Sequence, residues 1–547
     1  MSEFLTTWVG IDDEAHVVVA VSGDAAAAVS RLSEGLVAEA VASRIGSKDP
    51  TLWGPKAQDE ARTRLGWTDL YASSRGMLPQ LEALAGNARD EGKIRVVLAG
   101  MGGASLGAEV ICSTYGVPLV TLDSTDPDEV RAALGSDLDE TILVVSSKSG
   151  ETIETDSARR IFEEAFEAAG LDPRQHIVVV TDPDSPLHKS AVASRYRAVF
   201  LADPNVGGRF SVLGAFGLVP AALAGVPVAE LLDEAQAVSA SLAEDHVSNP
   251  ALVLAAAISG SDRDKLVFTD EGSGLVGFAD WAEQLIAESS GKDGAGILPV
   301  VAENGAPEQY ADDVIDVRFV ALAADADATG HQIATGGTLG GQFLLWEYAI
   351  AIAGHVLGFD PFSQPDVESA KAVTRGLLDA LPEPQPPAFT DDGIEVRATD
   401  GLLNDFELQG IATVQEAIAA LEAQVGPRGY VAVMAYLNRE GNPALPSVRH
   451  GIAARTGRPT TFGWGPRFLH STGQFHKCGS PVGVFLQITG SFAGDLDIPA
   501  RPFSFQQLIS AQAADDARVL AEHGSPILRL HLTDASHVAR LAALLEG

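Results

Sequence analysis

The sequence predicts an α/β protein made of two doubly wound parallel-sheet domains and a third, C-terminal α/β domain. Three observations carry this expectation. From residue 94, short β-branched runs alternate with amphipathic helical stretches; the alternation restarts near Pro250; and a proline-rich interruption precedes one further alternating unit. A chain of 547 residues has room for such an arrangement, at roughly 100–200 residues per domain.

In chain order, residues 1–90 read as a mainly helical segment packing on the first domain. The first domain spans 91–240, with strands in IRVVLAG, PLVTLDS, ETILVVSSK, HIVVVTD and YRAVFLA. Between them lie helices in ASLGAEVICSTYG, DPDEVRAALGS, ETIETDSARRIFEEAFEAAG and around Leu187–Arg195. The second domain spans 241–381, with strands KLVFTD, GILPVVA and VIDVRFVAL and helices at Asp280–Ser290 and Leu339–Leu357. Residues 382–397 read as a stiff linker, because Pro382, Pro384, Pro386 and Pro387 fall within six residues. The third domain spans 398–547, with strands in GYVAVMAYL, PTTFGWG, GVFLQITG and ILRLHL.

The composition, 46% hydrophobic and 20% charged, is that of a globular chain with sizeable cores. A formal net charge of −37 repels nucleic acid and anionic membranes, so neither is an expected partner. It also repels phosphorylated metabolites, so any such ligand needs a local cluster of donors. The two cysteines, Cys112 and Cys478, have no metal or disulfide spacing, which points to a reducing, cytoplasmic setting. The N-terminus has no signal-peptide pattern. The apolar stretch Leu213–Val228 is broken by Pro220 and Pro227, and Gly340–Phe359 contains Glu347 and His355, so both read as buried helices.

Five motifs could carry chemistry. Gly100-Met101-Gly102-Gly103-Ala104-Ser105-Leu106-Gly107 follows a strand and opens a helix, where backbone can approach an anion. A dinucleotide fingerprint would need glycine at Ser105, although Asp123 ends the next strand at the distance of a ribose contact. Ser147-Lys148-Ser149-Gly150-Glu151-Thr152 gathers hydroxyls and backbone N–H groups at a helix start; helix capping alone would use one hydroxyl. Arg209, behind Gly207 and Gly208, is either a surface cation or a partner for a developing oxyanion. Gln284 and Glu288 are four apart on one face of an apolar helix, a setting for a raised carboxyl pKa or for a solvated glutamate near a helix end. Asp360-Pro361-Phe362-Ser363-Gln364-Pro365-Asp366-Val367-Glu368-Ser369-Ala370-Lys371 is a turn feeding a helix.

Taken together and in order, from about residue 60 to 385, these motifs resemble the phosphoglucose isomerase family, whose two domains are sugar-isomerase (SIS-type) doubly wound sheets. The resemblance implies glucose-6-phosphate isomerase activity without redox cofactor or metal, with a small-molecule sugar phosphate as ligand. It implies phosphate contacts from Ser147, Ser149, Thr152 and the Lys148 backbone, with Gly102 and Gly103 in the first loop and Gln284 and Gln364 near the phosphate. It implies Glu288 as the base, Arg209 at the enediolate and Lys371 at the ring oxygen. Ala104 stands where the family usually has serine.

One departure is larger. The family's Gly-Thr-x-Gly-Gln-His motif, whose histidine helps open the sugar ring, is imitated by GGTLGGQF (Gly336–Phe343), which lacks the histidine. Past the linker, Phe468-Leu469-His470-Ser471-Thr472-Gly473-Gln474-Phe475-His476-Lys477 begins a stretch that resembles the family's chain just beyond that motif. The same stretch is similar to the third domain of transaldolase–isomerase fusions. The expectation is that the third domain supplies the histidine, His476 first and His470 second. Family members are usually dimers with a shared site, so the resemblance implies a homodimer unless the third domain completes the site within one chain. The alternatives are a non-catalytic sugar-phosphate regulator, an isomerase of another phosphosugar such as mannose 6-phosphate, and a nicotinamide-dependent dehydrogenase.

Overall fold

A computed structural model describes residues 4–11, 14–307, 311–321, 332–363, 385–492 and 494–547. The chain opens with a hairpin of β1 (Phe4–Ile11) and β2 (Glu14–Ser22), which the expectation of a mainly helical stretch did not include; from Gly23 to Asp90 the elements are all helical. Val17, Val19 and Val21 are all buried, so the segment has the period of two that places alternate side chains in a core. The hairpin does not belong to the first sheet, because β2 pairs antiparallel with a strand of the second.

The first sheet contains β3 (Arg95–Gly100), β4 (Val120–Leu122), β5 (Thr141–Ser146), β6 (Ile177–Thr181) and β7 (Ala198–Leu201), all parallel, in the order β4-β3-β5-β6-β7. Val97–Ala99, Ile142–Val145 and Ile177–Val180 are buried throughout, as expected of strands covered on both faces. The chain leaves β3 to one side to make β4 and returns on the other side to make β5. This reversal opens a crevice beyond the carboxyl ends of β3 and β5. The glycine loop after β3 and the hydroxyl-rich loop after β5 both lie at that crevice.

The second sheet contains β8 (Lys265–Glu271), β9 (Leu298–Val301), β10 (Val314–Val320) and β11 (Gln332–Gly337) in the order β1-β2-β11-β10-β8-β9. Its last four members are parallel. β11, with sequence QIATGG, carries too few apolar residues to be read as a strand from sequence. The helix after β8 runs Phe278–Ser290. Helix Leu339–Leu357 is buried from Leu339 to Gly354, and no helix among the described residues is long and apolar enough to cross a membrane.

The third sheet contains β12 (Phe389–Asp391), β13 (Ile394–Ala398), β14 (Tyr430–Tyr436), β15 (Thr460–Trp464), β16 (Gly483–Gly490) and β17 (Ile527–Leu532) in the order β12-β13-β17-β16-β14-β15. The four expected strands are β14 to β17. β12 and β13 correct the reading of 382–397 as linker: ladder bonds to β17 hold residues 394–398 in the sheet. Pro382 and Pro384 lie outside the described residues. Ion pairs fasten this unit to the other two: Arg467 Nη1 to Asp123 Oδ2 (2.7 Å), Arg449 Nη2 to Glu303 Oε1 (2.7 Å) and Arg458 Nη2 to Asp313 Oδ2 (2.6 Å). Apolar contacts accompany them. Phe503, Phe505 and Leu508 join the core of the first sheet, and Tyr430 and Phe485 share a core with Val267 and Val300 of the second.

Candidate active site

The hydroxyl-rich loop connects β5 to helix Ile153–Ala168. Ser147 Oγ lies 3.0 Å from Thr152 Oγ1 and accepts the Gly150 N–H at 3.1 Å, while Ser149 Oγ accepts the Glu151 N–H at 3.2 Å. Thr152 is the N-cap residue, yet its side chain makes no capping bond. The hydroxyls are therefore not used up by capping, and they surround a helix N-terminus whose dipole favours an anion. Lys148 turns the other way, and its Nζ donates to Asp182 Oδ2 at 2.6 Å. Side chains of neighbouring residues leave an extended chain on opposite sides, so Lys148 can offer the loop only its backbone.

The last turn of helix Phe278–Ser290 carries the second cluster. Gln284 Nε2 donates to Glu288 Oε1 at 3.3 Å, and Arg209 Nη1 lies 3.4 Å from Glu288 Oε2. Both charged side chains are deeply buried, Arg209 at 2% and Glu288 at 10% exposure. Arg209 is held on three sides. Its Nε donates to Ser289 Oγ at 2.9 Å, and its Nη2 donates to the carbonyls of Pro361 and Ser363. Burial raises the Glu288 carboxyl above its ordinary range; Arg209, the Gln284 hydrogen bond and the nearby His470 oppose this without reversing it. Burial likewise pulls the Arg209 guanidinium down.

Gly102 and Gly103 explain why the first loop must be glycine. Gly102 has φ +55°, and a Cβ there would collide with the His470 carbonyl and the Gln284 amide; a Cβ on Gly103 would collide with the Gly208 backbone beside Arg209. The loop thus serves as a seat where three chain segments meet at backbone distance. Across it, Gln284 Nε2 donates to the His470 carbonyl at 2.9 Å, which ties the second sheet's helix to the third unit.

The two histidines have unlike surroundings. His470, in the turn Arg467–His470, reaches the crevice: its Nε2 lies 3.2 Å from Glu154 Oε1 in the first turn of helix Ile153–Ala168. Glu154 is buried and also accepts Gln512 Nε2 at 2.7 Å, and Gln512 Oε1 in turn accepts Thr125 Oγ1 at 2.7 Å. His476 was expected first, and its described contacts lie elsewhere. Its Nδ1 is engaged by the Tyr430 hydroxyl at 3.0 Å, its ring stacks on Tyr430, and Phe485 meets it edge-on. Burial pushes its pKa down to about 3, so it stays neutral among Tyr430 and Phe485.

Lys371 and Gln364 lie outside the described residues. The chain leading toward them is anchored at the site, because Arg209 holds the Pro361 and Ser363 carbonyls and Lys292 Nζ donates to the Asp360 carbonyl. Lys292 is buried, and its pKa is pushed well down by burial and by Arg209. Lys292, Glu154 and Gln512 were not singled out from sequence. Glu154 lies two residues past the hydroxyl-rich loop and Lys292 four past Glu288, but nothing in spacing reveals a contact made through space. Asp123 cannot serve a ribose, since it is buried and paired with Arg467 at 2.7 Å.

Comparison with known proteins places this geometry in context. No family model matches the chain. A probable glucose-6-phosphate isomerase of Haloquadratum walsbyi is 30% identical over 341 residues, covering 52% of this chain and 79% of that protein. A probable glucose-6-phosphate isomerase of Natronomonas pharaonis is 30% identical over 338 residues, covering 52% and 78%. Among solved structures, a hypothetical protein of Thermus thermophilus aligns with a TM-score of 0.55 at 24% identity, covering 64% of this chain and 96% of that one. A glucose-6-phosphate isomerase of Chlamydia trachomatis aligns with a TM-score of 0.50 at 21% identity, covering 63% and 79%. At these identities the structural likenesses speak to fold alone.

Proposed function

This chain belongs to the glucose-6-phosphate isomerase family, and on that premise we propose that it interconverts glucose 6-phosphate and fructose 6-phosphate with Glu288 as the base. The observation that carries the reading is the buried Glu288 carboxylate, bracketed by Arg209 and Gln284, with Gln284 in turn bonded to the His470 carbonyl. A carboxyl whose pKa is raised by burial is a stronger base when ionised, as proton abstraction next to a carbonyl requires.

In this mechanism the phosphate binds the helix N-terminus with Ser147, Ser149 and Thr152, and its binding energy fixes the orientation of distant carbons. His470, held by Glu154, and Lys371 move protons at the ring oxygen and the anomeric hydroxyl to open the sugar. Glu288 then takes the proton from C2. The electron pair forms the C1–C2 double bond, and negative charge collects on the C1 oxygen. Arg209 faces that charge, an interaction of about 3–4 kcal/mol when one such donor is removed from a dry site. Glu288 returns its proton to C1 while the proton on O2 passes to O1, leaving the ketose. One base suffices because both carbons lie on one face of a planar enediolate.

The hydroxyl-rich loop, Arg209, Glu288 and His470 all come from one chain, which supports a site complete in each subunit. A cytoplasmic setting accompanies this reading, because phosphorylated sugars do not cross membranes freely. The test is a coupled assay from fructose 6-phosphate with glucose-6-phosphate dehydrogenase. Wild type is expected to turn over, and Glu288→Gln to bind substrate without turning it over. Near-normal turnover by Glu288→Gln overturns the mechanism.

A further inference from the structure

The third sheet has two unlike faces. Ile394, Val396, Leu528, Leu530, Leu486 and Ile488 point into one apolar core. The alternate residues point the other way and form two polar rows. Arg397, Arg529 and Gln487 are register neighbours in one row, and Glu395, His531 and Thr489 in the other. Helix Phe505–Glu522 covers part of this second face, where Ile509, Ala513 and Ala517 join a core with Tyr430 and Tyr436. Over β13 and β17 the polar rows instead floor a cavity of about 1020 Å³, with Ile509, Ala513, Ala517 and Phe492 as its apolar wall.

The charges on that floor do not balance. Arg397 is paired, its Nη2 donating to Glu395 Oε2 at 2.7 Å. Arg529 donates Nε to Gln487 Oε1 at 3.0 Å, and no carboxylate among the described residues pairs with it. Arg397 and Arg529 are direct cross-strand partners, an arrangement in which like charges destabilise a sheet. Gln487 cannot adjust to compensate, since its Nε2 is committed to the Ala513 carbonyl at 2.8 Å. His531 is held in place by Thr489 at 2.9 Å and Ser491 at 3.2 Å. In a chain of net charge −37, a guanidinium left without a carboxylate at the floor of a cavity is a place kept for an anion from outside.

We propose that this cavity is a second ligand site, which takes a small organic oxyanion on Arg529, flanked by Arg397 and His531, with its apolar body against Ile509, Ala513 and Ala517. The anionic group is a phosphate monoester or a carboxylate, the two groups that a guanidinium fork grips with paired hydrogen bonds. The site is separate from the crevice that holds Glu288. The two nevertheless share a helix: Phe505–Glu522 walls the cavity with Ala513, and its Gln512 grips Glu154 beside His470.

Phenyl phosphate and benzoate carry the same body with the two candidate anions, so calorimetric titration of the full chain with each identifies the preferred group. To silence the hydroxyl-rich loop, the titration is repeated on Ser149→Ala/Thr152→Ala. The expected result is one site for at least one probe that survives in this double variant, weakens about tenfold or more in Arg529→Met, and recovers in part in Arg529→Lys. Arg529→Met is expected to keep wild-type isomerase turnover, which verifies that it folds. If it does not fold, wild-type crystals soaked in phenyl phosphate and in benzoate must show the anion on Arg529 for at least one of them. Binding unchanged by Arg529→Met, loss of all binding in Ser149→Ala/Thr152→Ala, no binding of either probe at about 1 mM, or soaked crystals with neither anion on Arg529 would each overturn the proposal.

Discussion

His470 Nε2 lies 3.2 Å from Glu154 Oε1, so a histidine of the third unit is oriented by a carboxylate two residues past the hydroxyl-rich loop of the first. Two parts of the chain more than three hundred residues apart thereby become one constellation. The carboxylate fixes which way the ring faces, and Gln512 fixes the carboxylate.

This pairing separates the two histidines experimentally. His470→Ala is expected to lower turnover on the cyclic sugar on the order of 100-fold, the usual contribution of a positioned proton donor. Glu154→Gln should lower kcat with little change in KM, since it disturbs orientation rather than binding. His476→Ala should keep turnover and lose about 1–3 kcal/mol of stability, because it empties an aromatic cage. Coupled assays and thermal melts of the three variants distinguish these outcomes; loss of activity in His476→Ala with His470→Ala unaffected reverses the assignment.

The pH profile reports on Glu288. Burial raises its pKa, so the acid limb of kcat/KM is expected above the ordinary glutamate value of 4.5. Activity should rise as pH climbs through that limb, because only the ionised carboxyl accepts the C2 proton. An activity plateau that extends below 4.5 would rule Glu288 out as the titrating base.

The proposal of a site complete in one chain makes a mixing prediction. Glu288→Gln and His470→Ala, unfolded together and refolded, should show no more activity than the two kept apart. Recovery well above that baseline would mean that subunits exchange these residues.

Glu347 offers a test of stability. It sits in helix Leu339–Leu357, fully buried, with neither carboxyl oxygen hydrogen-bonded among the described residues, and burial alone pushes its pKa well above 4.5. The folded chain therefore keeps a proton there that the unfolded chain releases, so this residue's contribution to stability falls as pH rises above about that value. Glu347→Met is expected to stabilise the protein by about 1–3 kcal/mol at neutral pH and to flatten that slope, as read from denaturant titrations at several pH values. A less stable Glu347→Met protein would show that the carboxyl has a partner.

Much of this architecture was legible in the residues. Burial on both faces makes parallel strands uniformly apolar, so Val96–Ala99, Ile142–Val145 and Ile177–Val180 announce themselves. The N-terminal hairpin was missed because β1 and β2 complete a sheet whose other strands come more than two hundred residues later. β12 and β13 were hidden by neighbouring prolines.

By itself, the sequence determined the local chemistry: glycines where backbones must touch, hydroxyls at a helix start, and a glutamate one turn after a glutamine on an apolar helix. These follow from short-range geometry, which a chain specifies within a few residues. Only the tertiary structure set the two histidines apart, and the proposal for His470 rests on that difference. His470 and His476 share the same short stretch, and what separates them is Glu154 on one side and Tyr430 on the other, both distant in sequence. It likewise turned Arg529 from one more cation on a strand into the unbalanced charge of a cavity, because charge balance depends on which strands become neighbours.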